Sequence, residues 1–357
     1  MTTNNQLDFK DQNFYIGLDV HKKSWSVTIR TNAIELKTFS MNPNPLELYK
    51  YMRKNYPGGI YYSVYEAGFS GFWAHRELEK LGFKSMVTNA ADVPTSHKEK
   101  ARKTDPVDSR KLSRELENGS LGAIYVPDSF HEQLRSLSRL RIVTSRSQAR
   151  VKNRIKSLLN CYGIKVPENF KKSKNWSGAF IKFLEDLEFE YPFLKDYLNL
   201  SLEELKQHRL RLSIITKKIK IYFKEYNIKK YIDLLYSVPG IGVVIAIALY
   251  CELIDIKRFP TLDKLASFIG LVSNTDSSGE NDKTKGLTNR FSKYLRYLLI
   301  EAAWIAVRKD PALTLYYSKL TKRMDKQLAI LYVAKKLLNR ILYVWKNQKP
   351  YVLAVVE

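Results

Sequence analysis

Residues 14–30 read FYIGLDVHKKSWSVTIR, and this stretch decides the fold. Apolar side chains alternate on both sides of a polar break at residues 19–23, which predicts two strands joined as a hairpin with Asp19 at the end of the first. Short apolar runs at residues 59–65 and 84–88 predict two more strands, and a helical pattern lies between them at residues 72–81. Strands that alternate with helices predict an α/β domain ending near residue 125.

The composition limits the kinds of protein this chain can be. Its 357 residues allow two or three domains, and a hydrophobic content of 45% excludes wholesale disorder. Lys and Arg number 60 against 36 Asp and Glu, a net charge of +24, which favours nucleic acid as partner. Codon bias toward Lys is the alternative explanation of this positive charge. Two cysteines and five scattered histidines predict neither a disulfide framework nor a zinc cluster. No apolar run is long enough to span a membrane, and we expect a soluble cytoplasmic protein.

Two long amphipathic helices follow the α/β domain, at residues 128–160 and 201–226. Basic residues dominate the polar face of the first helix, and the pair predicts a helical hairpin or coiled-coil arm over residues 126–230. The segment between them, residues 166–200, is expected to form an irregular tip. Residues 231–357 have a helical pattern and predict an all-α domain with a helix-hairpin-helix-like turn near its start.

Four carboxylates are candidates for a metal site. Asp19 and Glu66 end predicted strands, while Asp105 and Asp108 share one face of a helix that is capped by Thr104 or by Asp105 itself. Four such groups, if they converge, can hold two Mg²⁺ ions roughly 3.5–4 Å apart and stabilise both oxygens of a phosphodiester that is being cut. Each acid alone also fits an ordinary turn, surface or helix-cap role. The basic residues around the last two favour a site that cleaves phosphodiesters.

Motifs in both halves of the chain resemble, in order, those of the DEDD-type transposases of insertion-sequence family one-hundred-ten: GLDVHKK (17–23), EAG (66–68), KTDPVD (103–108), SVPGIG (237–242), FIGLV (268–272) and SG (278–279). The resemblance implies an RNase H-like (RuvC-like) catalytic domain at residues 1–125, the arm at 126–230 and a transposase domain at 231–357. The chain departs from the usual family pattern at Ser109, Ser273 and Phe291, where the family has Ala, Pro and Gly.

The resemblance also implies a function and its site residues. The chain would be a DNA transposase or recombinase that mobilises its own insertion sequence. The family's metal-binding tetrad falls on the four acids named above, and its catalytic serine falls on Ser278, with Ser277 as an open alternative. A serine nucleophile would form a phosphoserine link to DNA. The implied partners are donor and target DNA, a non-coding bridge RNA and further copies of the chain, up to a tetramer.

Basic side chains and glycines at helix starts are further candidates, because both bind nucleic-acid phosphates. These residues are Lys103, Arg110, Lys111, Arg139, Arg146, Arg150, Arg154, Gly240, Gly242, Arg290 and Arg296. Each also fits an ordinary solvated face or helix–helix turn. Two other functions stay open: a metal-dependent nuclease of the Holliday-junction-resolvase type, which would use the acids without the serine, and a nucleic-acid-binding protein without catalysis.

Overall fold

The structure is a computed structural model that describes residues 8–95, 104–171, 176–278, 281–287 and 292–353. Three residues singled out by the sequence, Lys103, Arg290 and Phe291, lie outside these ranges. The chain divides into two compact units, residues 1–126 and 127–357, and each is described by itself.

The first unit is built on a mixed five-stranded sheet. Its strands are β1 (Asn13–Val20), β2 (Trp25–Thr31), β3 (Ile34–Met41), β4 (Ile60–Glu66) and β5 (Lys84–Thr88), in the spatial order β3-β2-β1-β4-β5. The first three strands are antiparallel, and β4 and β5 add to the other side of β1 in parallel. The helices described here are α1 (Pro45–Asn55), α2 (Trp73–Lys80) and α3 (Asp105–Glu117). The predicted hairpin and the predicted α/β character are confirmed.

Helix α3 lies directly on strand β1, and Gly17 makes this approach possible. A side-chain carbon at Gly17 would lie 2.1 Å from the carbonyl oxygen of Ser109 and 2.5 Å from the backbone nitrogen of Ser113. The contact continues through the buried Ser109 hydroxyl, which lies 3.1 Å from the Ser26 hydroxyl and 2.9 Å from that of Thr28. Serine at position 109, where the resembled family usually has Ala, therefore bonds the helix to β2.

The second unit begins with two long helices, α4 (Ser129–Cys161) and α7 (Pro192–Glu225). They run antiparallel, because Arg141 of α4 donates to the Thr216 hydroxyl at 2.9 Å while Arg154, further along α4, pairs with Glu204, earlier in α7. Their shared core near the far end contains Val151, Ile155, Leu159, Leu198, Leu202 and Leu205. The predicted helical hairpin is confirmed.

The expected irregular tip is wrong. Between the long helices the structure has two short helices, α5 (Glu168–Lys171) and α6 (Gly178–Glu185). Apolar residues of α6, Phe180, Ile181 and Leu184, pack into the core of the arm. The second long helix also begins at Pro192 rather than near residue 201, since proline is favoured at the first position of a helix.

The remaining helices form one compact bundle: α8 (Lys229–Tyr236), α9 (Val243–Leu253), α10 (Leu262–Ile269), α11 (Lys293–Lys309), α12 (Pro311–Thr321) and α13 (Lys326–Asn347). A two-stranded antiparallel sheet, β6 (Ser273–Ser278) and β7 (Asn281–Leu287), interrupts them, so the all-α prediction is wrong at this point. The base of the arm, at Leu134, Ile219 and Phe223, shares the bundle's core. A domain boundary near residue 230 stays a prediction. None of the described helices is long and apolar enough to cross a membrane.

Candidate active site

Parallel pairing of β1 and β4 places two of the predicted acids side by side. Leu18 is the partner of Tyr65 in this register, so Asp19 and Glu66 follow at the same edge of the sheet. Helix α3 begins at this edge and carries the other two acids in its first turn. Of the two predicted caps, Thr104 occupies the N-cap position, although its side chain makes no capping hydrogen bond.

One side of this site is open to solvent. The Nε2 atom of His21 lies 3.2 Å from Oδ2 of Asp19 and 3.7 Å from Oδ1 of Asp105. One ligand atom from each of these three residues lies within 4.8 Å of the others. About half of the His21 side chain and 60% of the Asp105 side chain are exposed. These groups are therefore accessible to an ion and to a substrate.

The other side of the site is closed. Lys111, one turn after Asp108 on α3, has only 7% of its side chain exposed. Its ammonium nitrogen lies 3.2 Å from Oδ1 of Asp108 and 3.5 Å from Oε1 of Glu66. The structure thus places Lys111 among the acids, in contrast to its predicted contact with nucleic-acid phosphate.

The electrostatics of Asp19 reflect this crowding. Burial raises the pKa of Asp19 above its usual value, and the negative charges of Asp105 and Asp108 raise it further. The nearby imidazole of His21 acts in the opposite direction. Burial and like charges both disfavour an ionised carboxylate, whereas a bound cation would favour it.

The donor set fits a hard divalent cation. Carboxylate oxygens are the ligands that Mg²⁺ and similar ions prefer, and an imidazole nitrogen also binds several divalent metals. The first turn of a helix and two neighbouring strand ends are stiff supports for such ligands. Asp19, Glu66, Asp105 and Asp108 would hold the ion or ions.

Models of known protein families identify two regions of the chain. A model of DEDD transposases of IS110 elements matches residues 16–164, and a model described as "Transposase IS116/IS110/IS902 family" matches residues 232–318. The chain belongs to the IS110 family of DEDD transposases. The first match spans every acid of the site, and this family implies the use of a divalent metal.

Curated relatives agree with this assignment. The putative transposase y4rJ of Sinorhizobium fredii is 27% identical over 79% of this chain and 76% of its own length. The transposase for insertion sequence element IS1533 of Leptospira borgpetersenii is 26% identical over 81% of this chain and 84% of its own. A second Sinorhizobium fredii putative transposase, y4qE, is 26% identical over 68% of this chain, which spans 58% of that relative's length.

The predicted serine nucleophile of this IS110-family chain lies on the two-stranded sheet of the second unit. Ser278 is the last residue of β6, and its partner in the register is Asn281 of β7. Ser277, the alternative nucleophile, is paired with Asp282. The sequence around Ser278 favours a loop, because Gly, Ser, Asp and Asn dominate it, but the structure places the residue at the end of a strand.

Several predicted phosphate contacts are engaged within the protein. Arg139 makes a bidentate pair with Glu252, at 2.7 and 2.8 Å, and Glu252 has 6% of its side chain exposed. This contact raises the pKa of Arg139. Arg110 pairs with Glu35 at 2.9 Å, although half of its side chain stays exposed. The candidate Arg154 forms the arm pair described above.

Two of the predicted arginines are exposed on the arm. Arg146 and Arg150 lie on the solvent face of α4, and Arg150 donates to the neighbouring Ser147 hydroxyl at 2.9 Å. Arg296, on α11, donates to the carbonyl of Gly270 at 3.2 Å. Among the candidates on the arm, Arg146 and Arg150 are the best placed to bind a polyanion.

The glycines of the predicted helix-hairpin-helix turn have different roles. Gly240 has a φ of +87°, and a side-chain carbon there would lie 2.3 Å from the carbonyl oxygen of Ala302. Its lack of a side chain thus allows close packing on α11. Gly242 is the N-cap residue of α9, where a side-chain carbon would meet nothing within 4 Å. A phosphate contact remains a prediction for Gly242.

Sequence reasoning missed two residues that the structure brings to important positions. His21 joins the carboxylate site, and its signal is its place two residues after Asp19, just beyond the end of β1. Glu252 anchors the arm to the bundle, and its signal is a single acid in the otherwise apolar helix α9. A buried acid requires a cationic partner, which the basic face of α4 supplies.

Proposed function

We propose that this protein is the DNA transposase that mobilises its own insertion sequence, with Mg²⁺ held by Asp19, Glu66, Asp105 and Asp108. The observation that carries the proposal is the convergence of these acids at one edge of the sheet in a chain of this family. Bound there, Mg²⁺ would polarise the phosphate that is cut and stabilise the charge that develops on it. The chain's own contribution is to hold four acids on stiff elements in place for this task.

We further propose Ser278 as the nucleophile. Its hydroxyl oxygen would attack the phosphorus and lose its proton, and the bond to the 3′-oxygen would break as that oxygen takes up a proton. The resulting phosphoserine conserves a phosphodiester, which the 3′-hydroxyl of a second DNA end can displace. Support comes from the Ser-Gly pair that follows the FIGLV motif. Ser277 is the alternative.

Donor DNA, target DNA and a bridge RNA are the proposed partners, and the active assembly is proposed to be a dimer or tetramer. The support is the resemblance, the net charge of +24 and the exposed arginines of the arm. Replacing both Arg146 and Arg150 with alanine is expected to make the negative slope of log affinity against log salt less steep by about two. Lys335→Ala is the control, since that ammonium pairs with Asp263 at 3.0 Å. An unchanged slope in the double variant would remove the arm from the interface.

The test of the reaction uses DNA that contains the element's ends, labelled so that the strand attached to the 5′-phosphate is visible. The wild-type protein should form a covalent protein–DNA adduct and recombined product, and EDTA or Asp105→Asn should abolish both. Ser278→Ala should lose the adduct and strand exchange, whereas Ser277→Ala should keep them. Cleavage that survives in Ser278→Ala would favour the nuclease, and DNA binding without metal-dependent cleavage would favour the binding protein.

A further inference from the structure

The side chain of Lys111, in the first unit, is almost completely buried. Neighbouring basic residues of α3 extend toward solvent, since Arg110 and Arg114 have 49% and 41% of their side chains exposed. Lys111 instead has 7% exposed. Burying an ammonium is unfavourable unless opposite charges compensate it. Here the compensation comes from Asp108 and Glu66, two members of the proposed metal site.

The position of Lys111 follows from the packing of α3. Its neighbours Ser109, Leu112 and Ser113 are buried against the sheet, so the helix side that carries Lys111 faces the edge where Glu66 ends its strand. Asp108 lies three residues earlier, on the same side of the helix. The ammonium therefore contacts both carboxylates from inside the protein, where an external phosphate has little access.

We propose that Lys111 is a built-in counter-ion of the carboxylate site, which holds Glu66 and Asp108 together before a divalent cation binds and competes with that cation for them. The inference rests on the proposed metal site. A single positive charge 3.2–3.5 Å from two ligand oxygens stabilises them as a cation would. The same charge repels an incoming ion, so its presence lowers metal affinity. Lys111 is thus a positioning residue, and its role ends when the metal is loaded.

Two consequences distinguish this role from ordinary packing. Removal of the charge should make the metal-free protein less stable, because two clustered carboxylates lose their partner. It should also make metal binding tighter, because the competing charge is gone. A side chain that matters only for packing would lower stability equally with and without metal and would leave the affinity unchanged.

The experiment measures Mn²⁺ binding to the full chain by calorimetry and thermal unfolding with EDTA or with Mn²⁺. The variants are Lys111→Met, Lys111→Gln and the charge-retaining Lys111→Arg. Lys80→Met is the matched control, because Lys80 forms a pair of the same i, i+3 spacing with Glu77 at 2.7 Å on the exposed face of α2. Circular dichroism establishes whether each variant is folded. If Lys111→Met does not fold, Lys111→Gln takes its place as the neutral variant.

Lys111→Met and Lys111→Gln should bind Mn²⁺ about tenfold more tightly than the wild type, a change in the range expected for one charge beside a partly buried ion. In EDTA they should also melt at a lower temperature than the wild type, and Mn²⁺ should raise their melting temperature by more than it raises that of the wild type. Lys111→Arg and Lys80→Met should keep wild-type affinity. Equal or weaker Mn²⁺ binding by the folded neutral variants would overturn the inference while leaving the metal site intact. Absence of Mn²⁺ binding by the wild type would instead overturn the proposed metal site itself.

Discussion

Gly17 provides a direct test of how packing positions the carboxylates. In Gly17→Ala the new methyl group would lie 2.1 Å from the carbonyl oxygen of Ser109, whereas ordinary contacts begin at 3.4 Å. This oxygen and the next nearest atom, the Ser113 nitrogen, belong to the backbone of α3, so the helix must retreat by about 1 Å. Asp105 and Asp108 would move with it.

The expected cost is both energetic and catalytic. Overpacking of this kind destabilises by about 1–3 kcal/mol, which for a unit of this size corresponds to a melting temperature lower by roughly 3–10 °C. A displacement of about 1 Å in catalytic groups reduces the rate by roughly a hundredfold. Melting is followed by circular dichroism, and cleavage is measured on element-end DNA with saturating Mg²⁺.

Gly122→Ala is the matched control, because a side-chain carbon there meets nothing within 4 Å. It should retain wild-type melting and cleavage. If Gly17→Ala keeps the melting temperature of the wild type and cleaves at a rate within twofold of it, the close approach of α3 to β1 does not position the site, and the reasoning fails.

Further predictions concern charge, pH and thiols. Glu252→Ala should destabilise the second unit by about 2–4 kcal/mol, because it removes the buried carboxylate that pairs with Arg139 and Arg135. Glu204→Ala, at the exposed pair with Arg154, should cost less than about 1 kcal/mol, and urea denaturation compares the two variants. The raised pKa of Asp19 means that the folded state holds the proton more tightly, so this group's contribution to stability falls as pH rises through that pKa. Asp19→Asn in EDTA should therefore be more stable than the wild type at pH 7, with a smaller gain near pH 4, and a gain independent of pH would contradict the shift. Burial raises the pKa of Cys251 to about 12, so iodoacetamide at pH 8 should label exposed Cys161 and spare Cys251 until the protein is unfolded, as mass spectrometry would show.

Local patterns predicted the parts of this fold that depend on local burial. The alternation in residues 14–30 predicts β1 and β2, and the helical spacing of apolar residues predicts the long helices of the arm. The positions of Asp19 and Glu66 at the ends of strands follow from the same apolar patterns, although the pairing of β1 with β4, across β2, β3 and α1, does not. For these features the sequence carries the signal within a few turns of chain.

Charge partners and the polar hairpin could not be predicted in this way. Arg139 and Glu252 are 113 residues apart, and only the packing of the arm on α9 makes them partners. Lys111 looks like any other basic residue of its segment until α3 is placed on the sheet. Strand β6 consists of polar residues without apolar alternation, so nothing in its pattern distinguishes it from a loop.

The elements that carry the four acids limit how the geometry of the site can change. Helical geometry fixes the spacing of Asp105 and Asp108, and the β1–β4 ladder fixes that of Asp19 and Glu66. The position of one pair relative to the other depends on how α3 packs on the sheet. Substitutions beneath that helix, at Gly17 or at its hydroxyl contacts, would therefore change the distance between the two pairs of acids without altering any of the four.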